Sequence, residues 1–485
     1  MKKIIKYRCN KFLQGICLLL FSVSYASVFS QSGYLYGTTY GGGKYNYGVL
    51  FRYNIATNRD TVLVNLDSTN DGAYPLSNVI LASNGQIFGN TFEGGKYGYG
   101  TIFSYNPVTG KDTVWKNFDS VHDGSNPIGG LIQSKSGLIY GTTPVGIKRF
   151  GDVFSLNINT GQFKVVYTFD SVHGSHPWDA PFEAPSGLLY GTTNTGGTHD
   201  DGVIFCVNPL TGKDTTCFNF DDTLHGQNPD GSLCLANDNL LYGMTNSGGA
   251  FGYGVLFGFD MKTGLFKHTI SFNDTDGAYA YSNVIQATDG LIYGMTEGGG
   301  VTSGGILFSY KPGDNKDSVC SRLLSATGAN PFGTIIQAPG GLLYGTTAYG
   351  GPKDDGVIFS YDPITHVYNT LFNLDDTKGT GYYPNAAPLY VSDSVTGINE
   401  LKNNLVVNVY PNPGSGVFNF ELKIKNEELK IEVFNILGEK VFSLFAAHHS
   451  PFTINLTGQP DGIYQYRIVS EKGELITSGK LVVER

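Results

Sequence analysis

The stretch LYGTTYGGGKYNYGVLF, residues 35–51, decides the fold, because it returns six more times at a nearly fixed spacing. The glycine of its YGTT-like signature falls at Gly37, Gly89, Gly141, Gly191, Gly243, Gly294 and Gly345, in steps of 52, 52, 50, 52, 51 and 51 residues. The phenylalanine that closes its G-V-L-F-like signature falls at Phe51, Phe103, Phe154, Phe205, Phe257, Phe308 and Phe359. A period of about 51 residues is too long for most helical solenoids and suits a unit of four short strands.

Working outward, the unit at residues 78–118 opens with the apolar run NVILAS, which Asn84-Gly85 turns into QIFGNT. The glycine-rich loop FEGGKYGYG leads into TIFSYN, and the turn PVTGK leads into DTVWKNF. Alternating Tyr, Phe, Val and Ile broken by Gly, Asn, Pro and Asp is strand-and-turn chemistry, and no repeat contains an amphipathic window of helical length. These four runs are strands A, B, C and D. Strands B, C and D each occur seven times, first at residues 34–39, whereas the last strand A stands alone at residues 385–391. The count predicts an all-β chain with a seven-bladed β-propeller over residues 33–391. In it, residues 386–391 pair with residues 35–39, so that no free sheet edge remains. An open array would leave both terminal sheets incomplete.

The 485 residues include 66 glycines and are 13% aromatic, which suits many short strands and is ample for one large core plus a small domain. Residues 1–30 read as a secretory signal peptide: MKKIIKYRCNK is basic, FLQGICLLLFSVSYA is apolar, and Val28-Phe29-Ser30 is a small-residue cleavage site. The apolar run is too short for a membrane span, so none is expected in the mature chain. Losing Lys2, Lys3, Lys6, Arg8 and Lys11 takes the net charge from −9 to about −14, a poor balance for nucleic-acid binding. Four cysteines remain. Cys206 and Cys217 flank one C–D turn, where either a cross-strand disulfide or two free thiols would fit; zinc-ligand spacing is absent.

The periodicity stops near Ser392. Residues 392–402 form a polar linker, and residues 403–485 alternate as strands around turns at Pro411-Asn412-Pro413, Leu437-Gly438 and Asp461-Gly462, predicting a small Ig-like β-sandwich. This module resembles the type A C-terminal sorting domain of type IX secretion. The matching pieces are Tyr410-Pro411-Asn412-Pro413 with Gly416, Asn435-Ile436-Leu437-Gly438 with Val441, Gly462-Ile463-Tyr464 and the final Gly479-Lys480-Leu481-Val482. The resemblance implies export to the outer-membrane surface or beyond, with the type IX machinery as partner and no catalysis in the module itself. The repeat resembles the GloVer (Gloeo/Verruco-type) tandem repeat of bacterial surface proteins through LYGTT, the GG-x-G loop, G-V-I-F and a D/H-G-x-x-P turn. Single repeats depart from it at Ile87-Phe88-Gly89-Asn90, over residues 144–150 and at Ala280. That family brings no assigned chemistry.

Nucleophile elbows, H-E-x-x-H, P-loops and dinucleotide fingerprints are absent. Seven copies of YGTT point to architecture and not to a catalytic threonine. Asp67 and Asp71 precede Gly72 loosely as in a calcium loop, but no downstream bidentate Glu follows, and Asx-turn capping explains them more simply. No cofactor is therefore expected, calcium at Asp67 and Asp71 being the one alternative. Asp followed by Ser or Thr and an aliphatic residue or Thr recurs at nine sites, Asp60 and Asp112 among them, and resembles the O-glycosylation acceptor of bacteria with type IX secretion.

In a propeller the B–C and D–A loops share a face. Here they carry Lys44, Tyr45, Tyr74, Lys96, Tyr97, His122, Lys148, Arg149, His176, Trp178, His199, His225, Phe251, Tyr279, Lys353, Tyr382 and Tyr383 on a glycine frame. Aromatic platforms with a few polar partners suit a glycan or protein ligand. A surface binding or adhesion protein is the expectation. The alternative is a secreted polysaccharide hydrolase or lyase, which would need carboxylates clustered in the propeller cleft. Glutamate is scarce in the repeats (Glu93, Glu183 and Glu297), which favours binding.

Overall fold

The computed structural model describes residues 33–314, 316–392, 407–422, 429–435, 440–446, 452–470 and 475–484. The expected leader, residues 393–402 of the linker and the Leu437-Gly438 turn lie outside the described residues. Two compact units divide near residue 396.

The repeat unit contains seven four-stranded antiparallel sheets, each ordered A-B-C-D. Six are built from consecutive strands, as in Ile80–Leu81, Ile87–Thr91, Thr101–Tyr105 and Asp112–Asn117. The remaining sheet joins the two ends of the unit: Leu389–Val391 pairs with Tyr34–Thr39 in the register Tyr34↔Val391, Leu35↔Tyr390 and Tyr36↔Leu389. Neighbouring sheets share cores. Phe88, Ile102 and Phe118 of one pack on Leu131, Ile139 and Phe154 of the next. Tyr344 and Ile358 of the last sheet pack on Leu35, Phe51 and Tyr53 of the first.

The two sequence signatures are two halves of one contact. Gly37 lies opposite Phe51 in the B–C register, and a Cβ on Gly37 would sit 2.6 Å from the tip of the Phe51 ring. The same glycine–phenylalanine pair recurs in all seven sheets. The threonine after it closes the B–C loop: Thr39 Oγ1 accepts from Val49 N at 3.2 Å and donates to the Gly41 carbonyl at 3.0 Å. Every C–D pair also carries a bulge just before the signature phenylalanine, between Leu50 and Phe51 in the first sheet, a device that sharpens strand twist. Strand D ends in an asparagine in four of the seven sheets, and its carboxamide oxygen caps the B–C loop by accepting from Lys44 N (Asn65), Lys96 N (Asn117) and Thr198 N (Asn219); Ser271 Oγ does so in the fifth. The third repeat has Thr168 there, and the fully buried Asp152 takes over by accepting from Ile147 N at 2.9 Å.

Strand A is shorter than the six-residue run expected. It pairs over two residues in six sheets and over three in the first. The residues before it leave the ladder to meet their counterparts from neighbouring sheets. Two short helical turns, Asp222–His225 and Asp376–Lys378, also occupy D–A connections in which strand and turn alone were expected; Asp221 and Asp375 cap them.

The C-terminal unit has a three-stranded sheet (Val407–Tyr410, Val417–Leu422, Phe452–Asn455) and a four-stranded sheet (Lys440–Ala446, Leu429–Phe434, Gly462–Ser470, Leu475–Val483). Phe418, Phe420 and Ile454 of the first share a core with Ile431, Val433, Ile468 and Leu481 of the second. Glu432 is buried among Lys430, Lys440 and Arg467 at 2.6 to 3.2 Å, and its hydrogen bonds to these cations hold its pKa down at about 2.

Candidate functional site

Each D–A connection ends in a tetrapeptide that runs inward before strand A. Its first residue is Pro75, Pro127, Pro177, Pro229, Ala280, Pro331 or Pro384. The second is Leu76, Ile128, Trp178, Asp230, Tyr281, Phe332 or Asn385, and these seven side chains line a single cavity of about 360 Å³. The third and fourth positions are small or polar because the segments close on one another there. A Cβ on Gly129 would lie 2.6 Å from Asp179 Cα, and one on Gly333 would lie 2.5 Å from the Ala386 carbonyl carbon. Hydrogen bonds run from segment to segment: Ser232 Oγ donates to the Ala180 carbonyl at 2.8 Å, and Asn283 N donates to Thr334 Oγ1 at 2.8 Å.

Two carboxylates break the pattern. Asp179 stands where other copies have Ser, Gly or Ala. It is walled in by neighbouring segments but remains accessible from the cavity. Its oxygens accept from Ala180 N at 2.6 Å, Gly130 N at 3.2 Å and Ser232 N at 3.0 Å, which oppose the rise in pKa caused by burial. Asp230 is buried and accepts from Asn194 Nδ2 at 2.5 Å. Desolvation, reinforced by the charge of Asp179, pushes its pKa up to about 7. Three aromatic rings share the cavity, with Tyr281 and Phe332 tilted against each other at 5.6 Å. Among the described residues no Lys, Arg or His lines it. Asn385 Oδ1 is buried there and accepts no hydrogen bond among the described residues.

Of the residues singled out from sequence, only Trp178 lies in this cavity. Tyr382 and Tyr383 line a second cavity of about 470 Å³ with Lys353, Asp355, Asp376 and Thr377. The other loop residues are engaged locally. Lys44 and Lys96 lie over the rings of their neighbours Tyr45 and Tyr97, at 4.8 and 5.0 Å. Tyr74 stacks on Tyr40, and Tyr279 meets Tyr253 edge-on. Arg149 is exposed with φ of 72°. His122 and His225 lie 2.8 and 3.1 Å from Asp119 and Asp221, and His176 contacts Thr195 Oγ1 at 3.0 Å, so these histidines do not converge. Asp67 accepts from Thr69 N and Asn70 Nδ2, and Asp71 from Asp67 N, as Asx-turn caps. The four described cysteines are free, with the Cys206 and Cys217 thiols in hydrogen-bond contact. Asp179, Asp230, Tyr281, Phe332 and Asn385 were missed from sequence. Their signal was present: aligned copies repeat the turn proline in six of seven cases and keep the third and fourth positions small or polar, but the second position differs in all seven.

Residues 21–182 and 179–404 match the Gloeobacter/Verrucomicrobia repeat. The chain belongs to that repeat family. Residues 408–484 match the secretion system C-terminal sorting domain of type IX secretion, the mark of a secreted or cell-surface protein handled by that machinery. No helix among the described residues is long and apolar enough to cross a membrane. No match to a curated protein is found. Among solved structures, a Bacteroides fragilis protein assigned as a 6-phosphogluconolactonase is 15% identical with a TM-score of 0.51, covering 76% of this chain and 99% of its own. A Bacteroides uniformis protein with the same assignment is 13% identical with a TM-score of 0.49, covering 75% and 100%. At such identities the first likeness speaks for a propeller-like fold alone.

Proposed function

We propose that this Gloeobacter/Verrucomicrobia-repeat protein is a binding protein of the bacterial surface or surroundings. In this reading a signal peptide and the C-terminal domain (residues 403–485) export it by type IX secretion. Residues 33–391 form a closed seven-bladed β-propeller that holds a ligand where its blades converge. Closure is supported by the pairing of Leu389–Val391 with Tyr34–Thr39 and by the core shared between last and first sheets. The observation that carries the binding role is the second tetrapeptide position: seven copies of one frame present seven different side chains to one cavity, whereas the third and fourth positions stay small or polar. Repetition maintains a frame, and divergence at one inward-facing position is what a site built on that frame requires. Mature protein and a Tyr281→Ala, Phe332→Ala variant are to be compared on glycan and metabolite arrays. Ligands lost by the variant at unchanged melting temperature support the site; identical binding profiles refute it. Truncation before Leu401 is expected to leave the protein in the periplasm.

A catalytic reading is favoured by one feature, the two carboxylates in the same cavity with Asp230 able to hold a proton near neutral pH. It predicts cleavage of an extracellular polysaccharide that Asp230→Asn abolishes. Absence of new reducing ends or unsaturated products across a polysaccharide panel would refute it.

A further inference from the structure

We propose that the cavity where the seven sheets converge binds a small organic cation, an ammonium head seated on Trp178, Tyr281 and Phe332 with Asp230 and Asp179 as its counter-charge. The inference rests on that cavity being the ligand site and names the chemistry it selects. Two carboxylates and no lining Lys, Arg or His among the described residues give the enclosure a negative potential that repels anions. Aromatic faces present their negative quadrupole to a cation and are strongest when water is displaced. A wholly apolar occupant would leave Asp230 without a counter-charge, which is costly in a buried site. A bare metal ion fits less well, because Asp179 is already committed to three backbone N–H groups; among the described residues no set of three His, Cys, Asp or Glu is placed to coordinate one. An ammonium group needs only what is present: π faces, diffuse negative charge and one or two acceptors. At about 360 Å³ the cavity suits a compact molecule.

The test uses the full mature chain and two probes of the same shape: choline, and its uncharged isostere in which carbon replaces the quaternary nitrogen. Trp115 lies outside the cavity, donating its indole N–H to Ser104, so a Trp115→Phe background leaves Trp178 as the sole tryptophan reporter. Calorimetry on the unmodified chain supplies a second readout. Choline is expected to shift Trp178 emission saturably and to bind at least about tenfold more tightly than the isostere, the scale of a desolvated cation–π site. Asp230→Asn, which keeps the acceptor for Asn194, is expected to remove that preference while preserving the circular dichroism spectrum and a cooperative melting transition at or above the native midpoint. Asp179→Asn serves as a second variant if Asp230→Asn misfolds. Equal binding of the two probes overturns the cation inference and leaves the cavity as a ligand site. A choline preference that survives in Asp230→Asn and Asp179→Asn also overturns it. Silence from both probes also overturns the cation inference, and the array comparison with the Tyr281→Ala, Phe332→Ala variant then decides separately whether the cavity is a ligand site.

Discussion

Replacing Asp230 by Asn should stabilise the repeat unit above neutral pH and do nothing at pH 4. The native carboxyl titrates at about 7, displaced upward from an ordinary 3.8 by burial and by the nearby charge of Asp179. The folded chain therefore holds this proton more tightly than the unfolded chain does. The stability this carboxyl contributes is greatest below about pH 4, falls as pH rises from about 4 to about 7, and is level above that. A displacement of about 3 pH units corresponds to about 4 kcal/mol lost between those limits. Asparagine keeps the oxygen that accepts from Asn194 Nδ2 but carries no charge, so it escapes the loss. With about 2 cal/mol/K of unfolding entropy per residue over the roughly 360 residues of the unit, the variant should melt about 5 °C above the native protein at pH 8. Asp60, Asp152 and Asp179 also have raised pKa values and tilt the native profile the same way, but they are present in both proteins and largely cancel in the difference. Calorimetric melts of both proteins from pH 4 to pH 9 measure that difference directly. Parallel profiles, or a variant less stable than the native chain at pH 8, would refute the claim that a charge is being forced into the cavity.

Three further outcomes follow from the packing. Val391→Asp places an unpaired charge in the core between the first two sheets and should cost about 3 kcal/mol or more in urea unfolding; an unchanged midpoint would mean that the closing strand holds nothing together. Gly191→Ala drives a methyl group to 2.5 Å from the Phe205 ring and should cost about 1–3 kcal/mol, with Phe205→Leu recovering part of it in a double-mutant cycle; additive losses would deny that the two signatures are one contact. In the C-terminal unit, Glu432 is held as an anion by three cations, so its contribution is full above about pH 4.5 and is lost as pH falls towards 2. Glu432→Gln should lower the melting temperature of that unit at pH 7 and flatten its dependence on pH between 5 and 2, which a pH series of thermal melts would test.

What the sequence discloses about this chain depends on which residues are repeated. A glycine that must admit a phenylalanine ring, or a threonine that must close a loop, is copied in nearly every unit, so period and strand order are legible from Gly37, Thr39 and Phe51 alone. Strand A resisted the same reading because its apolar run continues past the point where the backbone leaves the ladder. Residues 78 and 79 look like strand, but Asn78 meets Gly130 of the neighbouring segment instead of a partner in its own sheet. The site was obscured for the opposite reason. Its residues are those the repeats do not share, and a single Asp at position 179 or 230 cannot be told from a turn aspartate until the other six segments are placed around it. Exposed-looking aromatics drew attention to the loops instead, where Tyr45, Tyr74 and Tyr97 engage neighbours within the same loop system. Among near-identical units, repetition supplies the frame, and every departure from it in the cavity lining is visible to whatever enters. Trp178, Asp179 and Asp230 come from two adjacent copies, while Tyr281 and Phe332 come from the next two. The cavity thus has its carboxylates on one arc, aromatic rings within and beside that arc, and the smaller Leu76, Ile128 and Asn385 on the remainder, and that asymmetry would orient a ligand as well as hold it.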